Sequence, residues 1–320
     1  MEKIIKQLIK RLVFTKEDNL LSHAFSAMPF KDEIALVDIG AAGDIEPRWK
    51  KIEKHLVYYG FEPDSRSYKE LEEKPVNVKR RELFQTALWD SALSLEFNMC
   101  SKPQVSSHFF PNFSFLDRFP DTQRFGIDYK SSLECIPLDE LEISPCDFIK
   151  IDVQGGELAI LQGASKTLKN TFGIEAEVEF INLYEGQPLF GEITNYLSDF
   201  GFEFIDFTST YRWERESHNE VGQLVFGDAL FLKSPETVIK NCKELEKIAT
   251  YLKILLIYRR FDLIDKLLNN LNVEDRNTFH LFKKKIIPLN KKFNRARQVS
   301  RFCSRMLNIF GLNYKSHLIY

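Results

Sequence analysis

The stretch Phe148-Ile149-Lys150-Ile151-Asp152-Val153-Gln154-Gly155-Gly156-Glu157 most restricts what this chain can become. A β-rich apolar run stops at an acid, an amide and two glycines, then passes into the helical pattern Leu158, Ile160, Leu161, Leu168. That order predicts a buried parallel strand, a tight turn and a helix. In an open α/β sheet, ligands sit beyond the carboxyl ends of the strands, so Asp152, Gln154 and Glu157 are placed to meet one. Alone, the stretch could also be an ordinary strand-to-helix turn with helix-capping acids.

It is not alone. Ile34–Ile39 ends in Gly40-Ala41-Ala42-Gly43-Asp44, and Leu56–Phe61 ends in Glu62-Pro63-Asp64 with helical spacing at Tyr68 and Leu71. A third run, 83–88, ends at Trp89-Asp90-Ser91, and the alternation over 94–99 predicts an antiparallel hairpin strand. Residues 101–130 are polar and aromatic without a clean period, and a strand and helix follow around 135–141. Beyond the opening stretch, the pattern predicts a strand over 173–181 and a helix over 191–200 ended by Gly201. Strands over 202–208 and 223–233 follow, joined by a polar connection over 211–222. The sheet is therefore expected to be mainly parallel with an antiparallel hairpin at its end. After Ser234-Pro235 the pattern is helical, with one hairpin over 252–271 turning near Arg259-Arg260-Phe261. Residues 1–27 read as a basic amphipathic helix with a polar connection over 15–19. Three segments result: 1–30, 31–233 and 234–320.

With 320 residues, 44% hydrophobic and 13% aromatic, the chain can bury a large core, which excludes extensive disorder. Five cysteines without a CxxC pair argue against a disulfide framework and predict a reducing, cytoplasmic compartment. Lys3, Lys6, Lys10 and Arg11 interrupt the first apolar residues, leaving neither a signal peptide nor a membrane span there. The net charge of -2 hides a division: residues 241–320 hold 17 Lys/Arg against 6 Asp/Glu, leaving 27 against 40 for the first 240. The six histidines show no metal-ligand spacing, and no metal is assigned.

Asp38-x-Gly40-x-x-Gly43, with Glu62 ending the next strand about twenty residues on, is a nucleotide-type pairing. Small residues let backbone N–H groups approach a ligand, and the acid can accept both hydroxyls of a ribose. NAD-linked dehydrogenases share the pair. Here, however, the regular G-x-G-x-x-G cradle is missing, and Asp44 with Glu46 puts negative charge where a pyrophosphate would lie. A cationic sulfonium ligand bearing an ammonium group suits such a turn better.

Four co-ordered motifs carry a resemblance. Leu36-Val37-Asp38-Ile39-Gly40-Ala41-Ala42-Gly43, Gly60-Phe61-Glu62-Pro63-Asp64, Ile149 to Leu158, and Glu177-Val178-Glu179-Phe180 with Tyr184 and Gln187-Pro188-Leu189-Phe190 resemble the FkbM family of S-adenosylmethionine-dependent methyltransferases. The resemblance spans roughly residues 35–233 and includes Ser106-Ser107 and Asp228-Ala229-Leu230-Phe231. It implies an α/β, Rossmann-like class I methyltransferase fold: a mainly parallel seven-stranded sheet with an antiparallel last strand, followed here by a helical C-terminal appendage. It also implies S-adenosyl-L-methionine as cofactor and O-methylation of a hydroxyl on a sugar, glycan or related natural product, as in polysaccharide biosynthesis. By the resemblance, Asp38, Gly40, Ala41 and Gly43 border the methionine moiety, Glu62 and Pro63 the ribose, and Ala87 and Leu88 the adenine, with Asp152 near the reacting methyl. Asp44 departs from it, standing where the family usually has a second glycine. That departure is the hint for the alternative, a catalytically weak methyltransferase-like module that binds a glycan or an anionic surface.

Methyl transfer to a hydroxyl calls for a group that takes its proton. Glu175, Glu177 and Glu179 alternate with apolar residues, which puts three carboxylates on one face of an interior strand. Such acids are costly unless paired, solvated or used. Glu179, nearest the carboxyl end, is the best base of the three, with Glu177 and Asp152 beside it and His108 a substrate-side candidate.

After Asp275 no acid remains, while Lys and Arg accumulate. Phe293, Ala296, Val299, Phe302, Met306 and Phe310 recur at helical steps, so residues 293–310 read as a basic helix with one apolar stripe, inside a basic stretch, 276–320, suited to a surface. Three uses stand open: an anionic membrane surface, which would place the protein peripherally on the inner face; packing on the acidic body; or a homodimer contact. Nucleic acid is disfavoured by the acidic body and the lack of a recognition motif.

Overall fold

The computed structural model describes residues 17–30, 33–141, 143–216 and 222–309. Its strands are β1 (Ile34–Ile39), β2 (Leu56–Phe61), β3 (Arg80–Phe84), β4 (Ala87–Leu88), β5 (Leu93–Cys100), β6 (Ile127–Ile136), β7 (Phe148–Ile151), β8 (Gly173–Glu179), β9 (Phe202–Trp213) and β10 (Gln223–Lys233). Its α-helices are α1 (Glu17–Ser26), α2 (Pro47–Lys50), α3 (Ser65–Glu73), α4 (Phe113–Leu116), α5 (Glu157–Gln162), α6 (Phe190–Ser198), α7 (Pro235–Asn241), α8 (Leu245–Ile257), α9 (Phe261–Asn270), α10 (Val273–Thr278) and α11 (His280–Ile309). They fall into two compact units. Glu33–Ser234 forms one; residues 17–30 cluster with the chain from Pro235 onward in the other.

The larger unit is built on a seven-stranded sheet in the order β3-β2-β1-β7-β8-β10-β9. Every pairing is parallel except those of β10, which runs antiparallel to both β8 and β9. This is the class I methyltransferase arrangement. All positions of β1, β2 and β8 are buried, as near-continuous apolar runs in a sheet covered on both faces must be. On one face Val37, Ile39, Ile149, Ile151, Ile174, Ala176, Val178 and Phe231 join Ile160, Leu161, Ile193 and Leu197 of α5 and α6 in the main core. The other face carries the charged residues. There Trp49 of α2 packs on Phe148 at 4.8 Å between ring centroids.

Several expectations are corrected. Residues 83–88 are not one strand: β3 ends at Phe84, and after the polar pair Gln85-Thr86 the chain enters a separate three-stranded sheet, β4-β6-β5. β5 pairs with β6, so its antiparallel partner lies beyond the 101–126 segment rather than across a local hairpin. β9 extends through Trp213, because its residues from Ser209 to Trp213 keep pairing along β10 back to Gln223, past the point where β8 ends opposite Phe226. The aperiodic segment folds into short turns whose Phe115, Leu116, Phe119 and Phe125 make a second small core with Leu183, Tyr184 and Val225. Cys100, Cys135, Cys146 and Cys242 are free thiols.

In the smaller unit the expected hairpin is α8 and α9, with Arg259 between them at φ +58. Every residue of α8 from Ile248 to Ile257 is buried, and α9 buries Phe261, Ile264, Leu267 and Leu268. α1 starts at Glu17, inside the expected polar connection; residues 1–16 lie outside the described residues. Phe282, Ile286 and Leu289 of α11 are buried, and Phe293 lies under the Arg259 guanidinium at 4.2 Å and 5.8 Å from Phe261. Phe293 therefore packs within this unit. The side chains of Ala296, Val299, Phe302, Met306 and Phe310, the rest of the expected stripe, lie outside the described residues. Among the described residues no helix is long and apolar enough to cross a membrane.

Candidate active site

Strand alternation sends Lys150, Glu175, Glu177 and Glu179 to the face opposite the main core. Register then groups them. Asp38, Lys150 and Glu175 form one row across β1, β7 and β8, and Glu177 lies opposite Asp228 of β10 one step nearer the carboxyl ends. In the first row the charges are matched. Lys150 Nζ lies 3.5 Å from Asp38 Oδ1, and Tyr58 Oη donates to Asp38 Oδ2 at 2.9 Å. Arg48 Nη1 donates to both Glu175 oxygens at 3.1 and 3.2 Å. Burial alone would lower the Lys150 pKa, but Asp38, Asp152, Glu175 and Asp228 hold it above the ordinary lysine value. Asp38 is thus engaged from two sides beneath the turn it introduces.

The second row is nearly all acid. Gln154, a non-glycine at φ +61, donates through Nε2 to Glu177 Oε1 at 2.7 Å and to Asp152 Oδ1 at 3.3 Å. Tyr184 Oη lies 3.1 Å from Gln154 Oε1, and Ser107 Oγ donates to the Gln154 carbonyl at 2.7 Å. One amide therefore ties the ends of β7 and β8 to the segments carrying Ser107 and Tyr184. A side chain held in the left-handed region by this many partners is the kind of local strain that clusters at functional sites. Burial, then Asp152, Glu179, Glu157 and Asp228, push Glu177 well above the carboxylate range. Glu179 is fully buried and also raised, first by burial and then by Glu157. The Gln187 amide lies near Glu179 and opposes that rise, yet misses hydrogen-bond geometry, so both Glu179 oxygens lack a hydrogen-bond partner. Burial pushes Asp228 up to about 6, even though Ser209 Oγ donates to it. Of the three glutamates on β8, then, Glu175 is paired, whereas Glu177 and Glu179 are acids that hold their protons unusually firmly.

Glu157 makes the electrostatic cost measurable. It is buried, accepts the Val153 N–H at 3.1 Å, and is pushed up to about 7 by burial with a contribution from Asp152. A carboxyl whose folded pKa exceeds its unfolded value favours the folded state less as pH rises between the two values. Glu157→Gln keeps the accepting oxygen and removes this penalty. It should match wild type near pH 4.5 and exceed it by about 2–3 kcal/mol at pH 8 in urea unfolding.

On the cofactor side, Gly40 and Ala41 donate their N–H groups to the Phe61 carbonyl at 3.0 and 2.9 Å. Gly43, at φ +114, has no atom other than those of its chain neighbours within 4 Å of the place a Cβ would occupy, so the turn is open at this position. Glu62 is 6% exposed, accepts the Asp64 N–H at 2.9 Å, and is pushed up to about 7 by burial. Pro63 separates it from Asp64, the N-cap of α3. The Glu62 N–H donates to the Phe84 carbonyl at 3.1 Å, and buried Ala87 and Leu88 follow in β4. Asp44 is exposed and lies 3.4 Å from Lys50 Nζ and 3.9 Å from Lys74 Nζ. His108 is held in place: its Nδ1 lies 3.0 Å from the Glu96 carbonyl, and its ring meets Trp89, Phe97 and Phe109. Among the described residues no three His, Cys, Asp or Glu side chains are grouped as a metal ion would need.

Residues 38–204, just over half of the chain, match the Methyltransferase FkbM domain. The 2-O-methyltransferase NoeI of Sinorhizobium fredii is 26% identical over 178 residues, which is 53% of this chain and 73% of that protein. The crystal structure of Methyltransferase FkbM from Methylobacillus flagellatus KT is similar at 13% identity and a TM-score of 0.37. That match covers 63% of this chain and 44% of the other, so the chain spans less than half of that protein. TrmK of M. capricolum, solved with S-adenosyl-homocysteine, is similar at 12% identity and a TM-score of 0.32 over 83% of this chain and 96% of that one.

Proposed function

Because the chain belongs to the family of FkbM methyltransferases, we propose that it transfers a methyl group from S-adenosyl-L-methionine to a hydroxyl of a sugar, glycan or related natural product. The observation that carries this is the juxtaposition of a small-residue turn facing open room with a bank of buried, high-pKa acids at the neighbouring strand ends. The residues fit the cofactor. Gly43 leaves space for close approach, Glu62 offers a buried carboxyl to ribose hydroxyls, and the surrounding acids favour a cationic ligand. When bound, the cofactor supplies an electrophilic methyl on sulfur. Asp152 and Glu177, held side by side by Gln154, take the proton that the acceptor hydroxyl loses. The hydroxyl preference is supported by the name of the Sinorhizobium relative, a 2-O-methyltransferase. Asp44 favours the binding-module alternative less than its position in the sequence suggested, because it is exposed beside Lys50 and Lys74 rather than filling the turn.

Calorimetry with S-adenosylhomocysteine tests the cofactor half of this reading. Glu62→Ala should weaken binding by about 1.5–3 kcal/mol, roughly 10- to 150-fold, as expected for a lost hydrogen bond to a charged group. An unchanged affinity, or tight binding of NAD by the wild type, would reject it. Conversion of the cofactor in the presence of a sugar-nucleotide and glycan panel tests the acceptor.

A further inference from the structure

We propose that Tyr211, stacked on Phe226, is the platform on which the C–H face of a pyranoside acceptor lies, with Asp228 and Glu177 receiving its hydroxyls. The inference rests on the methyltransferase reading above and assigns the acceptor side of that site. Tyr211 is 44% exposed, yet its ring is not loose: it lies 4.4 Å from the Phe226 ring at 14° between planes. Phe226 in turn meets Trp213 edge-on at 6.2 Å, and Trp213 is covered by the Arg124 guanidinium at 4.7 Å and met by Phe119 at 5.5 Å. A ring braced in this way loses little conformational freedom when a ligand lands on it, so contact is gained at small entropic cost.

Register sets this ring beside the acids. Phe226 pairs with Tyr211 on one side and with Glu179 on the other, and two residues along Asp228 pairs with Ser209 and with Glu177. Ser209 Oγ donates to Asp228. Burial raises the Tyr211 phenol pKa, the Ser209 hydroxyl beside it opposes that rise, and Asp228, Glu177 and Asp152 add to it, so the phenol feels the carboxylates of the reacting centre. A pyranoside matches both halves of this surface. One of its faces is a patch of C–H groups that packs on an aromatic ring, and its rim is a set of hydroxyl donors for which carboxylates are strong acceptors. A flat phenolic acceptor would use the ring but brings only one or two hydroxyl donors to the acids, against the several on a pyranoside rim.

The test is saturation-transfer NMR with methyl α-glucoside, methyl α-galactoside and methyl α-mannoside as probes, with catechol as the phenolic probe, at saturating S-adenosylhomocysteine. Tyr211→Phe keeps the stack and should behave as wild type. Tyr211→Ala should weaken saturation of the pyranoside ring protons about tenfold. Tyr211→Thr, a β-former suited to an edge strand, should repeat that loss if the alanine variant folds poorly. Phe204→Ala is the control: Phe204 is also exposed on β9, but it pairs with Phe231 and packs on Phe190 and Phe207, on the core side of the sheet. It should change nothing. Pyranoside signals that are absent in wild type, undiminished in both Tyr211→Ala and Tyr211→Thr, or replaced by catechol binding overturn the platform. Calorimetry run alongside separates the two readings: if S-adenosylhomocysteine binds while the pyranosides ignore Tyr211, the platform alone falls, and if it does not bind, the methyltransferase reading falls with it.

Discussion

Asp152→Asn is expected to slow methyl transfer by about 10²–10⁴-fold, the range typical for removing a positioned base. Asp152 stands at the carboxyl end of β7, with its N–H donated to the Ile39 carbonyl at 3.0 Å and one carboxylate oxygen facing the Gln154 amide at 3.3 Å. Asparagine preserves the shape but removes the negative charge. Glu177→Gln should lose rate in the same range, because the same Gln154 amide holds it at 2.7 Å in the same cluster. S-adenosylhomocysteine affinity should change by less than about threefold in both variants, which separates lost chemistry from lost binding. The wild-type rate should rise with pH, with its midpoint above the ordinary carboxylate value of about 4.3. The sign follows from the cluster: burial and neighbouring acids raise Glu177, so its proton is retained past that value and the base works only once the proton has left. Wild-type turnover in Asp152→Asn, Glu177→Gln and Glu179→Gln alike would move the proton transfer to Glu157 or His108.

Much of this site could be read from the chain, and what could not has identifiable physical reasons. Apolar runs bounded by glycine, proline or acids fix their own ends, so β1, β2 and β10 begin and end where the pattern puts them. The same runs say nothing about the partner of β5, which depends on pairing with a strand more than twenty residues downstream. The matching of Asp38 with Lys150 was likewise hidden, because 112 residues separate them and only the adjacency of β1 and β7 brings them together. A signal existed: a lysine inside Phe148-Ile149-Lys150-Ile151 has to find an acid if that run is buried. Gln154 was conspicuous by position, but its left-handed backbone and its double donation to Asp152 and Glu177 are properties of the folded turn. Tyr211 sat in what looked like a polar connection, and only the extension of β9 along β10 gave its ring a fixed place.

Gly40 and Gly43 should separate framework from ligand surface within one turn. A Cβ on Gly40 would lie 2.0 Å from the Asp152 carbonyl oxygen, and that backbone is pinned by its own hydrogen bond to Ile39. The residue also sits at φ +78, where a side chain is strained whatever the space. Gly40→Ala must therefore push β1 and β7 apart at their carboxyl ends, at a cost of about 3–5 kcal/mol. A thermal midpoint lower by roughly 8–15 °C would follow for a unit of this size. Gly43→Ala pays only for its φ of +114, on the order of 1–2 kcal/mol, because nothing lies within 4 Å of the new methyl. Its midpoint should fall by only a few degrees. The methyl, however, projects into the room assigned to the cofactor, so S-adenosylhomocysteine affinity should drop by about tenfold or more through lost approach to the backbone. Melting curves and calorimetry on the two variants check this: if Gly43→Ala binds as wild type does, the open room beside that turn does not belong to the cofactor.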